Sequence, residues 1–569
     1  ICAVTYIKCV KDIIMIHAFI KKGSFQDSVS LMIISRKLSE APEVEEISVM
    51  MGTPANKSLL DVTGFWHDIF NEATPNDICV SIKAESDDPA IIETISSALE
   101  EALADIANGQ KSGNKLTTVR SWRTAKQKSP NANMLLISIA GEYAAELADT
   151  GLEDGCNVML FSDNVSIADE KALKEKAAAN GLIVMGPDCG TANIAGAPLA
   201  FANIAPKGSI GIVGASGTGI QEITSQIVLQ RQGVSHAIGL GGRDLSEQIG
   251  GISAITAINM LAADPQTRVI AFVSKPPAPA VREKIIAEMK RHNKPIVAQF
   301  LGTTPEKYQD DNIYFTRTLD ETARIAATLA RVEDSAAQLP KVTGKKIIGL
   351  YAGGTLAAEC AMLLSEQLNV AVDNEHKQGT MLDAQGHKII DMGDDFYTQG
   401  KPHPMIDPST RNKFISELSN KHDIGVLLVD FVIGYGATSD PAGALIQEIK
   451  KLNEKRGEAN PLITIATITG TQEDPQNRSE QQKQLQDAGI IVMDTLPEVV
   501  LLAKELIQPH PVEAAAEISP LLNGISVINA GLRSFADDLQ SSGTPVVHYQ
   551  WAPVAGGNKK LAEILKKLK

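Results

Sequence analysis

An apolar run, Ile210-Gly211-Ile212-Val213, leads straight into Gly214-Ala215-Ser216-Gly217-Thr218-Gly219 and then into a helical stretch from Ile220 to Leu229. Strand, glycine loop and helix in that order leave the first helical N–H groups without intrahelical partners, aimed at whatever occupies the loop. Such a helix start favours anions, and glycines let the backbone approach them closely. The order returns at Ile347-Ile348-Gly349-Leu350-Tyr351-Ala352-Gly353-Gly354-Thr355, with Glu222 and Glu359 each four residues after the Thr. Two such helix starts on repeated units point to phosphate-handling chemistry.

The rest of the chain supports a multidomain α/β protein. Residues 15–125 alternate short strands and helices and read as a small N-terminal α/β domain, ending in a linker over Gly109-Gln110-Lys111-Ser112-Gly113-Asn114. Residues 126–206 carry near-continuous apolar strands at Met134–Ile139, Val158–Ser162 and Leu182–Met185, separated by helices. That pattern suits a parallel sheet covered on both faces, and a Rossmann-like unit is expected. Residues 207–335 and 344–510 each repeat the strand–loop–helix plan, and residues 511–569 read as a C-terminal tail.

Composition narrows the partners. A chain of 569 residues with 44% hydrophobic content can bury several cores. A formal net charge of −15, with no lysine–arginine cluster interleaved with aromatics, excludes nucleic acid and anionic membrane as main partners. No apolar run reaches the ~18 residues that span a bilayer. The six cysteines are scattered without metal-ligand or disulfide spacing, so no metal is expected and a cytoplasmic location is. The chain opens Ile1-Cys2-Ala3-Val4, and Lys8, Lys11 and Asp12 sit where a signal peptide would be apolar. Residues 1–14 are therefore expected to reflect a misassigned start, with Met15 the natural first residue.

Motif spacing excludes the commonest nucleotide sites. Gly214, Gly217 and Gly219 do not match the dinucleotide-binding Gly-x-Gly-x-x-Gly, and no Gly-Lys-Ser/Thr follows to make a Walker loop. A compact oxyanion cradle remains, in which Ser216 and Thr218 hydroxyls add to backbone donors. The competing reading is a tight turn that packs its helix on the sheet.

Gly186-Pro187-Asp188-Cys189-Gly190, Gly211 to Thr218, and Ala237-Ile238-Gly239-Leu240-Gly241-Gly242-Arg243-Asp244 occur in this order in succinyl-CoA synthetase α subunits, which residues 133–330 resemble. The fourth unit looks like the flavodoxin-like ligase domain of the β subunit. From Met15 onward the chain resembles the bacterial FdrA proteins, a match that Ala552-Pro553-Val554-Ala555-Gly556-Gly557-Asn558 also carries. The fold implied is a Rossmann-like CoA-binding-type unit plus two flavodoxin-like, parallel-sheet ligase domains.

The synthetases carry a phosphorylated histidine in a loop that corresponds here to Phe300-Leu301-Gly302-Thr303-Thr304, where no histidine stands. The phosphate relay is thus expected to be lost and the anion-binding helix starts kept. That suits direct attack on an acyl or carbamoyl phosphate, or its reverse, with charge held by fixed N–H dipoles. Resemblance to the FdrA proteins implies a subunit of an oxamate carbamoyltransferase in anaerobic allantoin (purine) catabolism. Oxamate or oxalurate, with phosphate or carbamoyl phosphate, would be its substrates and further subunits or self-association its partners. The alternative is an acyl-CoA synthetase subunit using CoA and a nucleotide, and a third reading is a non-catalytic metabolite-binding scaffold.

On this reading Gly214, Ser216, Gly217, Thr218 and Gly219 hold one phosphate or carboxylate, and Gly353, Gly354 and Thr355 form an opposing cradle. Arg243 is a candidate carboxylate fork, against a salt bridge to Asp244 or Glu247. Lys275 ends a strand, where open α/β sheets place ligands, against a solvated surface lysine. His403 is a candidate general acid, and Asp394, Asp395 and Asp407 a candidate divalent-ion set, against plain turn chemistry in a proline-flanked loop. Cys189 reads as a packed thiol.

Overall fold

The computed structural model describes residues 15–26, 28–85, 88–108, 116–372, 375–457, 459–510 and 517–553. Residues 1–14, the linker at 109–114 and positions 554–558 of the C-terminal motif lie outside them.

The N-terminal unit holds β1 (Met15–Lys21), β2 (Glu46–Met51) and β3 (Ile78–Ala84), with β3 between the other two and both pairings antiparallel. β3 is the central strand because it is apolar on both faces: Ile78, Val80 and Ile82 pack against one set of helices and Cys79 against Phe70 and Leu60. The second unit begins with β4 (Thr118–Val119), β5 (Met134–Ile137), β6 (Asn157–Leu160) and β7 (Val184–Met185).

The third unit adds β8 (Thr191–Ile194), β9 (Ala197–Ala200), β10 (Lys207–Ala215), β11 (Val234–Gly239), β12 (Val269–Ser274), β13 (Ile296–Phe300), β14 (Gln309–Asp310) and β15 (Ile313–Thr316). Its sheet runs β14-β15-β13-β12-β10-β11-β8-β9, and the five central strands are parallel. Counted from β10, those five follow the flavodoxin order 2-1-3-4-5, so the winding direction reverses at β10. The hairpin of β8 and β9 pairs antiparallel with β11, which places residues 191–200 in the third sheet rather than with the preceding unit.

The fourth unit comprises β16 (Lys346–Tyr351), β17 (Thr380–Ala384), β18 (His387–Asp391), β19 (Ile424–Val432), β20 (Ile463–Thr469) and β21 (Ile491–Val492). Its order β17-β18-β16-β19-β20-β21 repeats the flavodoxin winding, with β17 as an antiparallel edge. Helix Leu319–Gln338 packs on both helix Gly217–Leu229 of the third unit and helix Leu496–Ile507 of the fourth. The multidomain α/β expectation, with two flavodoxin-like sheets, holds.

The C-terminal residues correct the expected tail. β22 (Val527–Ala530) and β23 (Val546–Tyr549) join the second sheet, whose all-parallel order is β4-β23-β22-β5-β6-β7. Counted from β22, this is the Rossmann order 3-2-1-4-5-6, with the first two strands supplied from the far end of the chain. Burial explains it: Val527 and Ile528 are fully buried, and Phe535 on the helix between the strands meets Phe161 edge-on at 5.0 Å. Sequence spacing could not show this, because β22 and β5 are neighbours in space and nearly 400 residues apart in the chain.

Candidate functional site

β10 ends at Ala215, and Ser216 takes extended angles (φ −154°, ψ 112°) to start helix Gly217–Leu229. The Ser216 Oγ accepts the Gly219 N–H at 3.2 Å, a standard N-cap. With Gly219 satisfied, the N–H groups of Gly217 and Thr218 remain in the first turn, directed out of the helix start. Gly214 serves packing as well as access: a Cβ there would stand 2.5 Å from Ile220 Cγ1.

Four loops converge around this helix start and enclose a cavity of about 240 Å³. Its walls are Asp188 to Thr191 after β7, Gly214 to Thr218 after β10, Gly239 to Gly242 after β11, and Lys275 after β12. This is the C-terminal edge of the parallel strands at the reversal of winding, where α/β sheets bind ligands. Gly241 has φ +81°, and a Cβ would lie 2.2 Å from the Pro187 carbonyl oxygen, so only glycine closes the two loops together.

Charge is unevenly placed around the cavity. A Cβ on Gly242 would lie 3.3 Å from Asp188 Oδ2 and 3.7 Å from Lys275 Nζ, so one acid and one base flank the same glycine. Cys189 is sealed below them, and burial pushes its thiol up to about 12, so it is the inert packed thiol expected. Asp188, Thr191 and Gln221 line the cavity although sequence reasoning assigned them no role. The Gly-Pro-Asp-Cys-Gly motif that carried the family resemblance held the signal for Asp188.

The other expected site residues lie elsewhere. Arg243 is not a carboxylate fork in the cavity: its guanidinium binds Glu170 Oε2 at 2.8 Å and the Val165 carbonyl at 2.8 Å. Its ion partner is Glu170 rather than Asp244 or Glu247, because Asp244 faces inward to Lys174.

Gly353, Gly354 and Thr355 form no opposing cradle. They belong to the fourth sheet, contribute nothing to the cavity wall, and meet two of the protein's own carboxylates. Asp430 accepts the Ala352 N–H at 2.6 Å and the Gly353 N–H at 2.8 Å, while a Cβ on Gly354 would lie 2.6 Å from Asp391 Oδ2. An incoming anion would face both acids. His403 also belongs to the fourth unit, with Nδ1 accepting the Met405 N–H and Nε2 packed beside Gly393. Asp394 and Asp407 accept the N–H groups of Phe396 and Ser409, which is turn chemistry rather than an ion site.

With this geometry in view, comparison with known proteins places the chain. It is 38% identical over 508 residues to the uncharacterized protein YahF of Escherichia coli strain K12, covering 86% of this chain and 98% of that protein. The chain belongs to the FdrA-like family of YahF. Family models match three segments: a CoA binding domain over 206–302, a CoA-ligase domain over 350–506, and the AllF heavy metal-associated domain over 15–119. The α subunit of the ADP-forming succinate–CoA ligase of Aquifex aeolicus is 26% identical over 215 residues, 36% of this chain and 68% of that subunit. A solved acetyl-CoA synthetase of Ca. Korarchaeum cryptofilum, with phosphate and ADP, covers 66% of this chain and 82% of its own at 14% identity and a TM-score of 0.42. The CoA binding and CoA-ligase matches make the protein acid–CoA ligase-like in its third and fourth units, and the resemblance to succinyl-CoA synthetase α subunits stands. No helix among the described residues is long and apolar enough to cross a membrane.

The heavy-metal name of the N-terminal model does not fit the residues present. Cys79 is the one cysteine among the described residues of 15–119; it is fully buried in β3, and burial pushes its thiol up to about 11. Heavy-metal sites need accessible, paired thiolates.

Proposed function

We propose that this protein is an acid–CoA ligase-like enzyme that passes an acyl group directly between phosphate and an acceptor, with no phosphorylated histidine. One observation carries the reading: the cavity at the reversal of the third sheet joins a capped helix start to Lys275 and Asp188 and has no histidine in its wall. Phe300 to Thr304, which stand where the synthetases carry theirs, contribute nothing to that wall.

In the step proposed, an acyl phosphate lies with its phosphoryl oxygens at the Gly217 and Thr218 N–H groups and Lys275. A CoA sulfur attacks the carbonyl carbon, the C–S bond forms, and the C–O bond to phosphate breaks. Phosphate departs with the bonding pair, its charge held by preorganised donors, and the thiol proton passes to Asp188, the one acid in the wall. The cavity accommodates the reacting groups rather than a whole CoA, whose thiol end would enter from outside.

A second version of the same step, implied by the resemblance to the FdrA proteins alone, has carbamoyl phosphate as the donor and the amide nitrogen of oxamate as the acceptor. The experiment measures phosphate release by the purified chain, alone and with the products of its genomic neighbours. Donors are acyl phosphates with CoA, or carbamoyl phosphate with oxamate. Release that requires CoA but no nucleotide supports the first version, and release that requires oxamate supports the second. A strict requirement for ATP together with CoA overturns direct transfer, and metabolite binding without turnover under any regime indicates a scaffold.

A further inference from the structure

Phe201 lines the same cavity as Ser216 and Lys275, and the proposed acyl transfer leaves it without a task. It follows β9 directly and is 56% exposed. Its ring meets Phe161, just past β6, at 5.4 Å and Phe535 at 5.9 Å. Both contacts are close to perpendicular, at 75° and 87°, so two rings of the second unit brace an aromatic side chain of the third.

The backbone fixes that ring as well. The Phe201 N–H donates to the Gly190 carbonyl at 2.9 Å, and its own carbonyl accepts the Thr191 hydroxyl at 3.0 Å. Ala200, just before it, takes a left-handed φ of +55°, an angle that alanine keeps only where its surroundings dictate it. A ring held this firmly, yet more than half bare, is preorganised and costs a ligand little ordering entropy.

The ring also stands next to the helix start. A Cβ on Gly190 would lie 3.9 Å from Phe201 Cδ2, and a Cβ on Gly217 would lie 3.9 Å from Gly190 Cα. One glycine, with no side chain to intervene, therefore separates the aromatic surface from the Gly217 N–H. A group attached to a phosphate at that N–H reaches the ring across Gly190.

We propose that Phe201 is the specificity-determining wall of this site and selects acyl phosphates whose acyl group carries a short hydrocarbon chain or a ring. The assignment rests on the direct-transfer reading, which seats the phosphoryl group at Gly217 and Thr218. Hydrocarbon laid on the ring removes apolar surface of both from water. A carbamoyl group offers an amide there instead, and the ring returns no full hydrogen bond for the water it displaces.

The test is isothermal titration of the full-length protein with methyl-, butyl- and phenylphosphonate, whose C–P bond does not transfer. Wild type is compared with Phe201→Ala and Phe201→Leu, each checked for its fold by circular dichroism. A fully covered methylene contributes about fourfold in affinity, so a ring covering one side of a butyl chain gives roughly tenfold over methyl. Wild type is expected to show that gradient, with phenylphosphonate bound at least as tightly as butylphosphonate, and Phe201→Ala to flatten it below twofold. Phe201→Leu keeps an apolar side chain against Phe161 and Phe535, and should weaken phenylphosphonate at least threefold more than methylphosphonate. Equal gradients in wild type and a folded Phe201→Ala, equal losses for both ligands in Phe201→Leu, or no binding by wild type would overturn the assignment. Phosphate release from acyl phosphate judges direct transfer separately. A gradient that depends on Phe201, alongside release that demands ATP, keeps the wall and removes the transfer; nucleotide-free release without the gradient does the reverse.

Discussion

Lys174 Nζ lies 2.7 Å from Asp244 Oδ1, with both side chains fully buried at the junction of the second and third units. Lys174 also meets Glu170 Oε1 at 3.0 Å and donates to the Leu240 carbonyl at 3.1 Å, while Asp244 accepts the N–H groups of Ser253 and Ala254. The network therefore holds the Gly239–Gly242 wall of the first cavity from below and ties helix Ile167–Ala179 to it. Removing one member strands the others in a place that water does not reach. Lys174→Met is expected to cost about 3–5 kcal/mol, the range for breaking a buried pair. Chemical denaturation followed by tryptophan fluorescence checks this, and a loss under 1 kcal/mol would mean that the network relaxes or hydrates.

Ser216 carries two roles that substitutions separate. Ser216→Ala removes the cap on Gly219 and is expected to lower stability by about 1 kcal/mol. Ser216→Asp keeps a cap and suits the positive end of the helix, so stability is expected to stay within a few tenths of wild type. The added charge sits where the phosphoryl group should bind, and isothermal titration with phosphate or acyl phosphate should show at least tenfold weaker binding. Unchanged binding in Ser216→Asp would remove the anion from this loop.

Asp264 supplies a pH signature. Burial alone would push its carboxyl up, but hydrogen bonds from His236, Thr267 and the Gln266 N–H bring it down to about 2, from an ordinary 3.8. A carboxyl depressed in the folded state contributes stability that is full above its unfolded pKa and is lost as pH falls towards the folded one. Wild type is therefore expected to lose stability between about pH 4 and pH 2 more steeply than Asp264→Asn. Urea midpoints at pH 5, 4 and 3 for both proteins measure the difference, and parallel slopes would contradict it.

Truncation tests the closure of the Rossmann sheet. A chain ending after Gln508 lacks β22 and β23, which exposes the edge of β5 and strips Val527, Ile528 and Phe535 from shared cores. Limited proteolysis is expected to cut the second unit quickly in the truncated chain while the fourth unit survives. A second unit equally resistant in both chains would show that the C-terminal strands are dispensable.

Much of this was legible in the sequence, for local reasons. The runs Ile210–Val213 and Ile347–Tyr351 are apolar because both faces of their strands are covered, and the glycine loops after them fall where the backbone must turn into a helix. What escaped was non-local. The pairing of β22 with β5, the capture of Gly353 by Asp430 and the turning of Arg243 towards Glu170 join positions about 70 to 400 residues apart. Composition and spacing register neither distance nor direction. Ser216 and Lys275 were recoverable because each sits beside its own strand end. Asp188 was missed because its motif reads as a turn until the β11 loop is seen packed against it.

Direct transfer requires the cavity bounded by Ser216, Asp188 and Lys275, and nucleotide-free phosphate release from an acyl or carbamoyl phosphate tests it most directly. Wild type should release phosphate only with its acceptor present, CoA or oxamate, and Lys275→Ala should lower the rate at least tenfold while the melting temperature holds. Equal rates in wild type and Lys275→Ala, or release that demands ATP, would contradict direct transfer at this site.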